Sequence, residues 1–285
     1  MGRRSRVHLG SFVMFCDVAG RVTRDNRNPL ATAAVVAIPV ELLNRVRGRL
    51  SRAFEGKPVK FKHGGLAGFS RATNVVVAHG LWAAVAHIHR ATPDEWRVFW
   101  DTGAAFVKEA EKRSGETWPE AEGQTLLRMR MLAAPFATFV GHLLALAGMP
   151  KRSFVETGAS LHMSVINDME IQNAEARKEF AEWVAAWPET SGWLYEQGVV
   201  PEVRADFATD KDEPLLHLPD YVAGMFHHAD PRAVLDAPVI SRDEAAKAIE
   251  SFRAAMGSRL AEAPNSDFKE RYPLAFQGDD VVNAT

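Results

Sequence analysis

The chain has 285 residues, 47% of them hydrophobic and 25% charged, with a formal net charge of −2. That length can bury a large core, and the balance belongs to an ordinary globular protein, which excludes a disordered or fibrous chain. Cys16 is the only cysteine, so an intramolecular disulfide and a cysteine-based zinc site are excluded and a reducing, cytoplasmic compartment is favoured. The N-terminus is basic from Met1 to Leu9, but no apolar signal segment follows before Asp17. No stretch reaches the roughly 18 unbroken apolar residues of a membrane span. The longest apolar segment, Met129 to Met149, contains His142 and reads as a buried core helix.

The elements follow in order. Phe12 to Cys16 is an apolar run ending in Asp17 and Gly20, and Ala31 to Ile38 is a second, valine-rich run stopped by Pro39. Two such runs around a polar connection predict a β-hairpin or adjacent strands. Glu41 to Phe54 carries Leu42, Leu43, Val46, Leu50 and Phe54 at helical spacing, with arginines between them. Lys57 to Gly68 contains glycines and predicts a loop or turn leading into a helix that ends near His79. The segment from Trp82 predicts a strand with Val85, His87 and His89 on one face. Helices are expected over Glu95 to Lys112, Glu122 to Ala147 and Ala174 to Trp187, and strands over Leu161 to Asn167 and Val199 to Phe207. Leu215 to Phe226 predicts a further helix with Asp220 in its first turns. Ser241 with Glu244 forms a capping box for a last helix, assigned here to residues 241–262, with residues 264–285 as a tail. The pattern is α/β with a mixed sheet in one domain, residues 1–285.

Charge is unevenly spread. Through Arg71 there are fourteen lysines and arginines against four acidic residues, an asymmetry that points to a polyanionic partner such as nucleic acid. A solvated helix face balanced by acidic residues elsewhere is the competing account.

Several residue groups invite chemistry and have plainer explanations. His87 and His89 share the spacing of a transition-metal pair, but no third ligand is identifiable. His227 and His228, with Asp230 nearby, fit the charge preference of a helix C-terminus. Gly64, Gly65 and Gly68 precede a helix, yet the Gly-Lys-Ser/Thr ending of a phosphate loop is absent and a flexible turn is favoured. Cys16 beside Asp17 should be a core thiol with its thiolate disfavoured. Neither His-Glu-x-x-His nor Gly-x-Ser-x-Gly occurs.

Three pieces in order carry a resemblance. They are Phe15-Cys16-Asp17-Val18-Ala19-Gly20, Val165-Ile166-Asn167-Asp168, and Leu216-His217-Leu218-Pro219-Asp220-Tyr221-Val222-Ala223-Gly224. Over roughly residues 13–228 the chain resembles an uncharacterised family, domain of unknown function 3800. The resemblance implies a ribonuclease H-like fold, a mixed sheet with helices on both faces and acidic residues gathered at the strand ends. The third piece is the most specific, because it fixes aspartate, alanine and glycine at set offsets. The chain departs from the family pattern where Asp-Glu-Ser-Gly is replaced by Asp17-Val18-Ala19-Gly20, and where Lys60-Phe61-Lys62-His63-Gly64 lacks the expected glutamate.

Such a fold would bring Asp17, Asp168 and Asp220 together. Carboxylates that close repel unless a divalent cation neutralises them, and oxygen ligands suit Mg²⁺ or Mn²⁺. Glu170 or Asp210 could supply a further ligand, and Lys62, His63 and His217 are candidate phosphate contacts or proton shuttles. The expected activity is a metal-dependent nuclease or related phosphodiesterase. Its rival is a catalytically degenerate nucleic-acid- or protein-binding chain.

Overall fold

The computed structural model describes residues 7–20, 30–57, 59–89, 133–146, 159–168, 199–235 and 238–263, with isolated positions elsewhere. Strand β1 (Val7–Ala19) pairs antiparallel with β2 (Leu30–Pro39), and β2 pairs antiparallel with β3 (Trp82–His89). β4 (Ala159–Asp168) lies parallel to β1, and β5 (Val199–Ala208) parallel to β4. Among the described residues the sheet order is β5-β4-β1-β2-β3-β6, where β6 (Leu260–Glu262) and the short β7 (Ser266–Asp267) both run parallel to β3. This is the mixed sheet expected, with the predicted hairpin at its centre. β2 is buried from Leu30 to Ile38, as befits a central strand of small and β-branched residues covered on both faces.

The alternation of side chains sets the two faces. Val13 and Phe15 of β1, Ala34, Val36 and Ile38 of β2, and Ala83 and Val85 of β3 enter one core. Four helices cover that face: α1 (Leu43–Phe54), α2 (Phe61–Ala78), α4 (His217–Ala229) and α5 (Arg242–Met256). Helix α3 (Ala133–Leu146) takes the other face. There the Phe139 ring meets Phe12 edge-on at 5.4 Å and Trp82 at 6.5 Å. Among the described residues no helix is long and apolar enough to cross a membrane.

Each helix follows from its local sequence. α1 presents Val46, Leu50 and Phe54 inward at a spacing of four. α5 opens on the expected capping box: the Glu244 N–H donates to Ser241 Oγ at 3.2 Å, and the Ser241 N–H donates to Glu244 Oε2 at 3.0 Å. It stops at Met256, earlier than predicted, because Gly257 turns with φ +52° and the chain then joins the sheet as β6. α2 begins at Phe61, inside the segment predicted as a loop, and is kinked where Gly65 has φ +47°. The helices predicted over Glu95–Lys112 and Ala174–Trp187 and the first part of Glu122–Ala147 lie largely outside the described residues, as does the tail from 264 apart from β7.

α4 is buried nearly all round, from His217 to His227, with only Asp220 partly exposed. It packs on β1 and β2 below and on α2 and α5 beside it. Contact with α2 depends on missing side chains. A Cβ on Gly224 would come within 2.5 Å of the Phe61 ring, and Gly64 and Gly68 of α2 admit the Tyr221 ring. Gly64 and Gly68, where a flexible turn was expected, are therefore packing positions within a helix, and Gly65 is its kink. Gly224→Ala should lower stability by about 1–3 kcal/mol through overpacking, read as a shift in urea midpoint at constant slope; an unchanged midpoint would refute the close approach.

Candidate functional site

Asp17 sits near the end of β1 on the α4 face, in step with Val13 and Phe15, and Asp220 is in the first turn of α4. The fold brings these two carboxyls into direct hydrogen-bond contact. Backbone donors orient both. The Val18 N–H donates to Asp17 Oδ1 at 2.7 Å, and the Phe61 N–H, opening α2, donates to Asp220 Oδ2 at 2.7 Å. Burial, and then the neighbouring Asp17 charge, push the Asp220 carboxyl up to about 7, while the Phe61 N–H and the Lys60 charge oppose the shift. Two carboxyls so placed resist joint ionisation, and a shared proton or a bound cation relieves the repulsion.

The third aspartate is placed by register. β1 and β4 are parallel with Phe15 opposite Ile166 and Cys16 opposite Asn167, so the next step sets backbone position 168 alongside position 17. Asp168 in turn pairs with Ala208 at the end of β5. Three chain positions at the ends of parallel strands thus border one edge of the sheet. Glu170 lies outside the described residues. Asp210 follows β5, and its Oδ2 lies 3.3 Å from Lys60 Nζ, which ties the β5 end to the start of α2.

The remaining candidates divide. Lys62 and His63 are exposed in the first turn of α2, next to the Phe61 N–H that holds Asp220. His217 is buried, with its ring 6.3 Å from that of Phe54 inside the core. Cys16 is fully buried and points away from Asp17, as strand alternation requires; burial first, and Asp17 second, raise its thiol well above the usual range. Lys60 was not singled out by sequence pattern. Its signal is only visible once Asp220 and residue 61 are known to touch.

The basic N-terminal quarter is partly consumed by structure. Arg47 forms a bidentate pair with Glu213, and Arg71 lies over the Phe54 ring. Arg45, Arg49 and Arg52 remain exposed on α1, and Lys57 follows them. Arg3, Arg4, Arg6, Arg21, Arg24 and Arg27 lie outside the described residues.

A second polar cluster joins histidines that the sequence left apart. Thr32 Oγ1 on β2 lies 3.2 Å from His87 Nδ1 and 3.4 Å from His227 Nδ1, and Asp230 Oδ2 is 3.6 Å from the same His87 nitrogen. Arg232 clamps Asp230 through its Nε and a terminal nitrogen. Burial, with His228 and His87 adding to it, lowers His227 to about 4. Burial likewise lowers His87. Both rings are thereby neutral, hydrogen-bonded core groups. Among the described residues no group of three or more histidine, cysteine, aspartate or glutamate side chains is arranged to hold a metal ion.

The carboxyl pair is nonetheless the kind of donor set a divalent cation fits. It offers oxygen ligands only, burial and mutual repulsion oppose its full ionisation, and position 168 adjoins it. No protein-family model matches the chain, and no curated protein matches its sequence.

The two shifted groups give opposite pH slopes. Asp220 binds its proton more tightly folded than unfolded, so its contribution is fully present near pH 4 and is lost as pH rises towards 7. His227 is neutral in the fold, so its contribution is intact above about 6.5 and is lost as pH falls towards 4. Each is worth a few kcal/mol at about 1.4 kcal/mol per pH unit. Relative to wild type, Asp220→Asn should therefore gain stability with rising pH over this range, and His227→Gln should lose it. Denaturant titrations of metal-free protein at pH 4.5 and 7 test this, and parallel pH profiles for the two variants would refute the assignments.

Proposed function

We propose that the chain is a divalent-metal-dependent nuclease or related phosphodiesterase, built on a ribonuclease H-like scaffold. The observation that carries the reading is the direct contact of Asp17 and Asp220, delivered from a strand end and a helix start far apart in sequence. The mixed sheet, the helices on both faces and the aspartates at the strand ends agree with the family resemblance.

In this reading Asp17 and Asp220 hold the cation, with Asp168 beside them in register. The backbone N–H groups of Val18 and Phe61 fix the carboxylates so that little reorganisation accompanies binding. Bound Mg²⁺ or Mn²⁺ would supply activation of a water and stabilisation of the leaving oxygen of a phosphodiester. Exposed Arg45, Arg49 and Arg52 on α1, with Lys57 and Lys62 nearer α2, supply long-range attraction for a nucleic-acid backbone. The exposed turn carrying Lys62 and His63 leaves room for a phosphate to approach.

One observation favours a second reading. The Phe61 N–H on Asp220 is the bond that a helix-capping carboxylate makes, so the pair could serve a scaffold that binds nucleic acid or protein without turnover.

Calorimetric titration of Mn²⁺ into wild type and Asp220→Asn separates the two. The catalytic reading expects saturable binding that the variant loses. It also expects Mn²⁺-dependent cleavage of an oligonucleotide, reduced at least about a hundredfold by Asp17→Asn or Asp220→Asn. Absence of Mn²⁺ binding, with and without oligonucleotide, would end the catalytic reading in favour of the second.

A further inference from the structure

We propose that Lys60 is the phosphate-binding residue of this site, and that Asp210 holds its ammonium over the carboxyl pair until a substrate phosphate displaces the carboxylate. The inference rests on the Asp17–Asp220 pair being the reactive centre.

The backbone of Lys60 is fixed more firmly than its exposure suggests. Its carbonyl accepts from the N–H groups of His63 and Gly64, each at 3.0 Å, and from the Tyr221 hydroxyl at 3.3 Å. The following residue donates its N–H to Asp220 at 2.7 Å. Lys60 therefore springs from the same turn that orients Asp220, and its charge already acts on that carboxyl. Tyr221, the residue after Asp220, closes the link from the α4 side, and the bare Gly64 and Gly68 are what allow its ring to reach.

Asp210 approaches from the opposite side. β5 ends at Ala208, opposite Asp168, and the turn that follows is closed by the Asp212 and Glu213 N–H groups donating to the Thr209 carbonyl. Thr209 Oγ1 also donates to Asp212 Oδ2 at 2.6 Å. The Lys60–Asp210 pair, 3.3 Å apart with each side chain 28% exposed, thus spans the strand-end edge from α2 to β5.

A lysine–carboxylate pair still open to solvent contributes little to stability, so exchanging its partner costs little. A phosphodiester approaching Asp17 and Asp220 meets repulsion that a nearby cation must offset, and an ammonium is a suitable point charge for phosphate. The pair keeps that charge in place without burying it. The ligand is the phosphodiester backbone of a nucleic-acid strand.

The test is anisotropy of a fluorescein-labelled oligothymidylate with the full chain in chelator, where no turnover occurs, with thermal melts to confirm folding. Lys60→Met should weaken binding roughly tenfold and flatten the salt dependence by about one charge. Lys60→Arg should restore most of the affinity. Asp210→Asn should tighten binding about threefold, because it removes the competitor. Unchanged affinity in Lys60→Met, absent binding by the wild type, or weakening in Asp210→Asn would overturn the proposal. Cleavage with Mn²⁺ is scored separately. If the affinities follow the pattern and no cleavage occurs, the phosphate site stands and the catalytic reading falls. Cleavage with a KM that Lys60→Met leaves unchanged gives the converse.

Discussion

Helix α4 lies along β1 and β2 with nearly every side covered, and its alignment with β1 governs what happens at the sheet edge. Two contacts set that alignment. Asp220 meets Asp17, and His227 meets Gly20, where a Cβ would come within 2.9 Å of the imidazole. Three strand residues and seven helical residues each span about 10 Å, so both contacts are made at once only when the helix runs with the strand in this register. Phe61 and Tyr221 then follow, because α2 approaches α4 through glycine and must bring its first N–H to Asp220. A slip of one helical residue would rotate Asp220 away from β1 and leave its carboxyl without either partner.

The same alignment separates two kinds of buried polarity. Around Thr32, the imidazoles of His87 and His227 stay neutral, and Asp230 is matched by Arg232. Every group there finds a partner of suitable charge, which makes the cluster part of the scaffold. At the other end of α4, like charges are set against each other and burial aggravates the conflict. Such local violations of good design concentrate where a protein acts.

Much of this was legible in the sequence. The valine-rich run ending at Pro39 declared β2, the spacing of Val46, Leu50 and Phe54 declared α1, and Ser241 with Glu244 declared the start of α5. What failed did so for physical reasons. Gly64, Gly65 and Gly68 looked like a loop because glycine is a poor helix former, whereas here Tyr221 from another helix requires the absent side chains of Gly64 and Gly68, and Gly65 supplies the positive φ of the kink. β6 is too short, and too dependent on β3, to leave a period of its own. Asp17 and Asp220 could be named from motif position, but their contact is a property of helix-on-sheet packing. Lys60 and Asp210 carry no local pattern, since their meeting joins two separate connections at the sheet edge.

The conflict between Asp17 and Asp220 also bears on how such a chain would drift. At neutral pH the pair detracts from folding, and an asparagine at either position would relieve it at no cost to packing. Mutation is abundant and a chain under selection for stability alone finds such relief easily. Selection for stability alone would sooner remove one of the two carboxyls than α4, its glycine or the Thr32 cluster.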